Sequence, residues 1–150
     1  MKILLAVDDS TYSTDAVAAV AARPWPPGTS VRVLSAVAQI PLPAAELWYD
    51  AGGSLERAGQ ELVKRAEQLT QRTVEALSTA GVMAEALVRE GDARSVIVDE
   101  AKDWDADLIV LGSHGYTGFK RWLLGSVAQA VASHAPCSVE IVRHKQTAES

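Results

Sequence analysis

Four glycines, Gly112, Gly115, Gly118 and Gly125, punctuate the 21 residues LGSHGYTGFKRWLLGSVAQAV that begin at Leu111. They follow an apolar, strand-like run and precede an amphipathic helical pattern. A glycine inside regular structure costs roughly 0.5–1 kcal/mol relative to alanine. Several in one segment therefore point to a backbone that turns tightly, approaches something closely, or does both. A helix that starts near Gly125 and Ser126 presents unsatisfied backbone N–H groups and a partial positive charge. With glycine giving close access and Ser126 adding a hydroxyl, that start suits an anion, most naturally a phosphate. Lys120 and Arg121 lie between the glycines and add positive charge. Asp8, at the tip of the first apolar run, is an acceptor suited to ribose hydroxyls.

Two stricter phosphate motifs are missing. There is no G-x-x-x-x-G-K-[ST], and no G-x-G-x-x-G after the first strand. Spacing alone leaves two readings open, a mononucleotide pocket and a Gly-rich turn with a purely structural duty. His114 sits inside the glycine segment, where a histidine can serve as a base at neutral pH. No nucleophile is assigned to it, so phosphate contact or loop filling is the preferred reading and no catalytic residue is predicted. His134 and His144 are scattered and there is one cysteine, so no metal site is predicted, although Mg²⁺ can arrive with ATP. Cys137 reads as a buried small hydrophobe. Trp122 reads as a packing or interface residue. Trp48 and Tyr49 read as a loop anchor or surface patch ahead of a ligand lid.

These residues need elements to position them. Residues 3–7 are continuously apolar, the pattern of a strand buried on both faces. Ser10 and Ser13 are N-cap candidates for an Ala/Val-rich first helix. A breaker-rich RPWPPG leads to a second strand at 30–38. A long amphipathic helix follows at about 55–80, with Leu55, Ala58, Leu62, Ala66, Leu69 and Leu77 at helical spacing and Gly81 as its stop. A strand at 82–90, a helix capped by Asp92, a strand at 106–112, a helix at 125–134 and a strand at 137–143 complete the chain. Strict alternation predicts one α/β domain over residues 1–150, a doubly wound parallel sheet with helices on both faces. Residues 39–54, with two prolines and a Gly pair, read as a long flexible loop, and residues 144–150 as a tail. In such a sheet ligands sit beyond the carboxyl ends of the strands where strand order reverses. Asp8 and the segment Gly112 to Gly115 occupy two such ends.

Composition narrows the function classes. At 150 residues and 48% hydrophobic, the chain can bury a core. A formal net charge of −5 argues against nonspecific nucleic-acid binding, which depends on basic residues neutralising phosphates. The N-terminal apolar run stops at Asp8 and Asp9, too soon for a signal peptide. No stretch approaches the roughly 18 apolar residues of a membrane span. The expectation is a soluble cytoplasmic protein with neither nucleic acid nor membrane as a partner.

Taken together, the residues resemble the universal stress protein family in its nucleotide-binding branch. That family's ATP-binding signature is a glycine, two residues, a glycine, nine residues, then a glycine followed by Ser or Thr. Gly112, Gly115, Gly125 and Ser126 meet the full spacing. Asp8, Ser10, Ser13 and Ala16 fall in the family's D-x-S-x-x-S-x-x-A pattern, and EGDARSVIVDEA places Gly91, Ile97 and Ala101 in register. The resemblance implies a five-stranded sheet in the order 3-2-1-4-5 and an adenine-nucleotide alpha-hydrolase-like fold. It also implies a homodimer, with the apolar last strand as its edge. Adenine would lie against Ala6, Val7 and Val37, the ribose on Asp8, and the phosphates on Gly112, Ser113, Gly115, Gly125, Ser126 and Val127, with His114 beside them. Asp9 departs from the family's frequent glycine, and its side chain is expected to point away from the phosphates. The function implied is an ATP-dependent stress-response module with an unknown protein partner. The alternative is a slow ATPase or phosphoryl-transfer enzyme using the same pocket.

Overall fold

The computed structural model describes residues 1–39, 53–115 and 123–145. Trp48, Tyr49, Gly118, Lys120, Arg121, Trp122 and most of the expected loop lie outside the described residues. Five strands, β1 (Lys2–Ala6), β2 (Ser30–Val37), β3 (Met83–Glu90), β4 (Leu108–Gly112) and β5 (Ser138–Val142), form one all-parallel sheet. Its order is β3-β2-β1-β4-β5. Among the described residues four helices connect them: α1 (Thr11–Ala21), α2 (Ser54–Thr79), α3 (Ala93–Trp104) and α4 (Ser126–His134).

The unbroken apolar runs of β1 and β4 make sense in this order, because both strands are interior and covered on both faces. Alternation of side chains splits the core in two. Ile3, Leu5 and Val7 join Val31, Val33 and Val110 under Ala16 and Val20 of α1 and Leu77 of α2. Leu4, Leu34, Ile109 and Leu111 pack on the other face under Ile97 and Ala101 of α3 and Ala128 and Val131 of α4. The pairings Ile3↔Val31 and Ile3↔Leu108 fix the register that keeps those two sets apart.

Helix starts and stops follow their local chemistry. Ser10 caps α1, its side chain accepting from the Ser13 amide at 3.2 Å. Asp92 caps α3, accepting from the Arg94 amide at 2.9 Å. Arg94 folds back onto the same carboxylate, which holds Asp92 well below the usual carboxylate range, at about 2. Gly81 ends α2 with φ of 83°, a left-handed conformation that favours glycine.

One polar cluster anchors α3 on the sheet. Glu100, 9% exposed, accepts from Arg32 of β2 at 2.7 Å and lies 3.8 Å from Arg89 of β3. The Arg32 guanidinium also lies over the Trp104 ring, 4.2 Å from its centroid. Hydrogen bonds and charge from Glu85 and Glu100 hold its pKa up against the lowering effect of burial. Cys137 departs from its expected full burial. It is half-buried, because it precedes an edge strand and packs only against the α3/α4 side. Burial there pushes its thiol pKa up, with the Asp107 charge adding to the effect.

Candidate functional site

Between β1 and β4 the chain order reverses, and a cleft opens at their carboxyl ends as the doubly wound geometry requires. β1 continues one residue past its last ladder pair, with the Val7 amide donating to Leu34 O at 2.9 Å, and then turns at Asp8. That turn is tightly tied. Asp8 Oδ1 accepts from the Ser10 amide at 2.9 Å and from the Ser10 hydroxyl. The Asp8 amide donates to Ser13 Oγ at 2.9 Å. Ser13 is thus no cap; it holds the Asp8 backbone from one turn inside α1. With Oδ1 committed to the turn, Oδ2 faces the glycine segment, 3.1 Å from where a Cβ on Gly115 would sit. Asp9 is exposed, consistent with a side chain directed away.

All three described signature glycines answer to close approach. None has the left-handed φ of Gly28, Gly53, Gly81 or Gly91. A Cβ on Gly112 would lie 2.7 Å from the Tyr12 carbonyl carbon and oxygen, so this glycine lets α1 seat against β4. A Cβ on Gly125 would meet His114 Cα at 3.1 Å and Ser113 O at 3.2 Å. There the chain returns to its own glycine segment, and the Gly125 amide donates to Ser113 O at 2.8 Å. Of the two initial explanations, tight turning and close approach, the second holds at these positions.

The cleft encloses about 540 Å³, counting its open mouth. Of the expected site residues, Ala6, Val7, Asp8, Gly112, His114, Gly115 and Val127 line it. Ser113 does not; it is 2% exposed behind the wall, and its Oγ lies 3.0 Å from His114 Nδ1. The sequence reading assigned no neighbour to that histidine. Its neighbour in the chain is the group that orients it. Val37 is buried beside the wall, its carbonyl accepting from the Gly91 amide at 2.8 Å. Gly125 and Ser126 form the start of α4 but not the wall. Their N-cap position carries no side-chain hydrogen bond.

Sequence reasoning missed the apolar floor: Leu34 and Ala36 of β2, Ala93 and Ile97 of α3, Leu111 and Ala128. Its signal was present. Leu34 and Ala36 share a strand face, and Ala93 and Ile97 stand one helical turn apart. What the sequence did not supply was which strand faces α3. The wall is thus largely apolar, with Asp8, Ser13 and His114 as its polar side chains. Few polar groups converging in an apolar cleft is the usual form of a small-molecule site. Among the described residues no cluster of His, Cys, Asp and Glu could hold a metal ion.

The model of the universal stress protein family matches residues 1–143. The chain belongs to this family. A universal stress protein of Thermus aquaticus, from the QAH/OAS sulfhydrylase 3′ region, is 32% identical over 142 residues, 94% of this chain and 97% of that protein. Universal stress protein Sll1388 of Synechocystis is 41% identical over 85 residues, covering 57% of this chain and 55% of that protein. In that case the match spans about half the relative's length. The solved structure of MJ0577 superposes with a TM-score of 0.82 at 25% identity, covering 97% of both chains. Two more distant family structures share the fold. One from Arabidopsis thaliana has AMP bound, at 19% identity, a TM-score of 0.65 and coverage of 97% and 92%. The other is a complex with cAMP, at 21% identity, a TM-score of 0.61 and coverage of 95% and 96%.

Proposed function

We propose that this universal stress protein is an ATP-binding regulatory module, cytoplasmic and homodimeric, whose partner choice changes with nucleotide occupancy. The observation that carries the reading is the arrangement at the reversal of strand order. The one acid among the described wall residues, Asp8, directs Oδ2 toward Gly115 while an apolar floor lies beside it. The residues fit an adenine nucleotide. Leu34, Ile97 and Val7 offer apolar contact to a base, Asp8 an acceptor for ribose hydroxyls, and Gly112 to Gly115 with the uncapped start of α4 a cradle for phosphates. Mg²⁺, carried in by the phosphates, would neutralise their charge. Family structures holding AMP and cAMP support the ligand class. Occupancy shifts a partner equilibrium only as far as ATP binds one state better than the other.

The homodimer reading rests on β5, an edge strand with Val139, Ile141 and Val142 half-buried. Its charged residue Glu140 is engaged within the chain by Arg23. An edge so prepared pairs readily with a second copy about a two-fold axis. Light scattering at micromolar concentration should give twice the chain mass; a monomer mass refutes this part.

Thermal unfolding with Mg-ATP, with AMP and without nucleotide tests the ligand. Saturation at a hundred times the dissociation constant adds about 2.7 kcal/mol, on the order of 5–11 °C for a chain of this size. Gly115→Asp, placing a second carboxylate against Asp8, should abolish the shift. No shift in nucleotide-free wild type overturns the reading. His114 on the wall gives a second reading a foothold: steady phosphate release that Gly115→Asp abolishes would make the module a slow ATPase.

A further inference from the structure

Tyr12 is the second residue of α1 and lies off the cleft wall, yet it touches three parts of the site's support. Its backbone occupies the space a side chain at Gly112 would need. Its ring lies against His114, with centroids 4.9 Å apart and planes tilted by 45°. The same ring also meets His144, edge-on at 6.3 Å. His144 follows β5 by two residues, and its Nδ1 lies 2.6 Å from Asp15 Oδ2, one turn along α1 from Tyr12. A continuous line therefore runs from the surface to the cleft: the Asp15–His144 pair, the Tyr12 ring, then the His114 ring. His114 also meets Ser113 Oγ through Nδ1 at 3.0 Å. The His114 ring is thus fixed from two directions, by a hydrogen bond and by an aromatic face.

We propose that Tyr12 is the positioning residue of the cleft, setting the His114 ring against the ligand, and that the Asp15–His144 pair holds Tyr12 in place from outside. The segment leaving β5 thereby contributes to ligand affinity without reaching the ligand. This rests on the reading of the cleft as a nucleotide site and adds to it a means of tuning. Tyr12 falls at an unspecified position between the two serines of the N-terminal pattern, so the device belongs to this chain's own residues.

The test compares Tyr12→Phe, Tyr12→Ala and His144→Ala, each shown folded by circular dichroism. Two readouts are used, ATP affinity by calorimetry and the His114 Hε1 resonance in ligand-free protein. Tyr12→Phe keeps the ring and should keep both the resonance position and the affinity within about twofold, whereas Tyr12→Ala should weaken ATP roughly tenfold and move the resonance, the scale of an aromatic pair. His144→Ala should weaken ATP by about threefold through loss of the outer contact. Tyr12→Phe losing as much as Tyr12→Ala overturns the proposal, because the hydroxyl and not the ring would then matter. An unmoved His114 resonance in Tyr12→Ala overturns it as well. If wild type binds no ATP, the nucleotide reading fails, and the resonance alone decides whether Tyr12 positions His114. If Tyr12→Ala does not fold, Tyr12→Phe and His144→Ala decide: retained affinity in the first with weakening in the second supports the line, and no weakening in the second refutes it.

Discussion

The starts of α3 and α4 lie at the same rim of the sheet and are built in opposite ways. α3 is held by its own side chains. Asp92 caps its first turn, Arg94 braces Asp92, and Glu100 ties the helix body to Arg32 and Arg89. α4 has a glycine at the cap position, no side-chain hydrogen bond there, and a seat made by backbone touching backbone at Ser113 and His114. A helix start capped by a carboxylate, as Asp92 caps α3, meets an anion with like charge. One closed only by glycine contacts keeps its first-turn N–H groups and dipole available. On the proposed reading, the contrast separates architecture from ligand binding on a single rim.

That contrast can be broken from either side. The largest effect belongs to Glu100→Ala, which removes the buried acid from the part-buried Arg32 and from the exposed Arg89. About 2 kcal/mol of stability should be lost, below the range of a fully buried pair because Arg32 is part-exposed and keeps Glu85. The midpoint should then fall by roughly 4–8 °C. Gly125→Ala pushes a methyl to within 3.1 Å of His114 Cα. It should cost about 1–2 kcal/mol, and the ATP-induced shift should shrink with it, as a melt with and without nucleotide would show. Ser126→Asp sharpens the comparison because its two effects have opposite signs. An acid in the first turn of α4 should raise ligand-free stability by about 0.5 kcal/mol while weakening ATP through charge repulsion. Parallel changes in both would count against an open anion site. The smallest effect is an acid titration of α3. With a folded-state value of about 2 against an ordinary 3.8, the Asp92 carboxylate stabilises fully above about pH 4 and loses that contribution as pH falls toward 2. Subtracting the acid-unfolding profile of Asp92→Asn should isolate that window.

Much of this was legible in the sequence because it follows from local rules. An unbroken apolar run marked β1 as a strand buried on both faces, Asp92 and Gly81 marked helix ends, and the strand–helix alternation implied the parallel sheet. The order 3-2-1-4-5 came from family resemblance, since alternation alone does not say where the chain doubles back. In the site, Asp8, Gly112 and Gly115 were readable from their strand ends. The role of Ser13, the Ser113–His114 contact and the Leu34–Ile97 floor were not. Each depends on the angle at which a helix seats on the sheet, a tertiary quantity that no window of residues contains. Gly112 shows the limit well. Its place in a phosphate signature suggested ligand access, whereas its immediate neighbour is the backbone of Tyr12.

An open sheet has two bare edges, and two unlike sticky ends are the ingredients of a polymer. Here the ends are unlike in a useful way. On β5 the charge of Glu140 is cancelled by Arg23 of the same chain, leaving an edge compatible with its own copy. β3 carries three exposed charged residues, Glu85, Arg89 and Glu90, so even with Glu85 and Arg89 paired to Arg32 and Glu100 a further chain would meet a charged strand in place of an apolar one. In the homodimer proposed above, growth begun at β5 would close after one step about the two-fold axis. In that assembly the Arg23–Glu140 pair, modest as a source of stability, would serve by removing the charge on β5 that a second copy would otherwise meet.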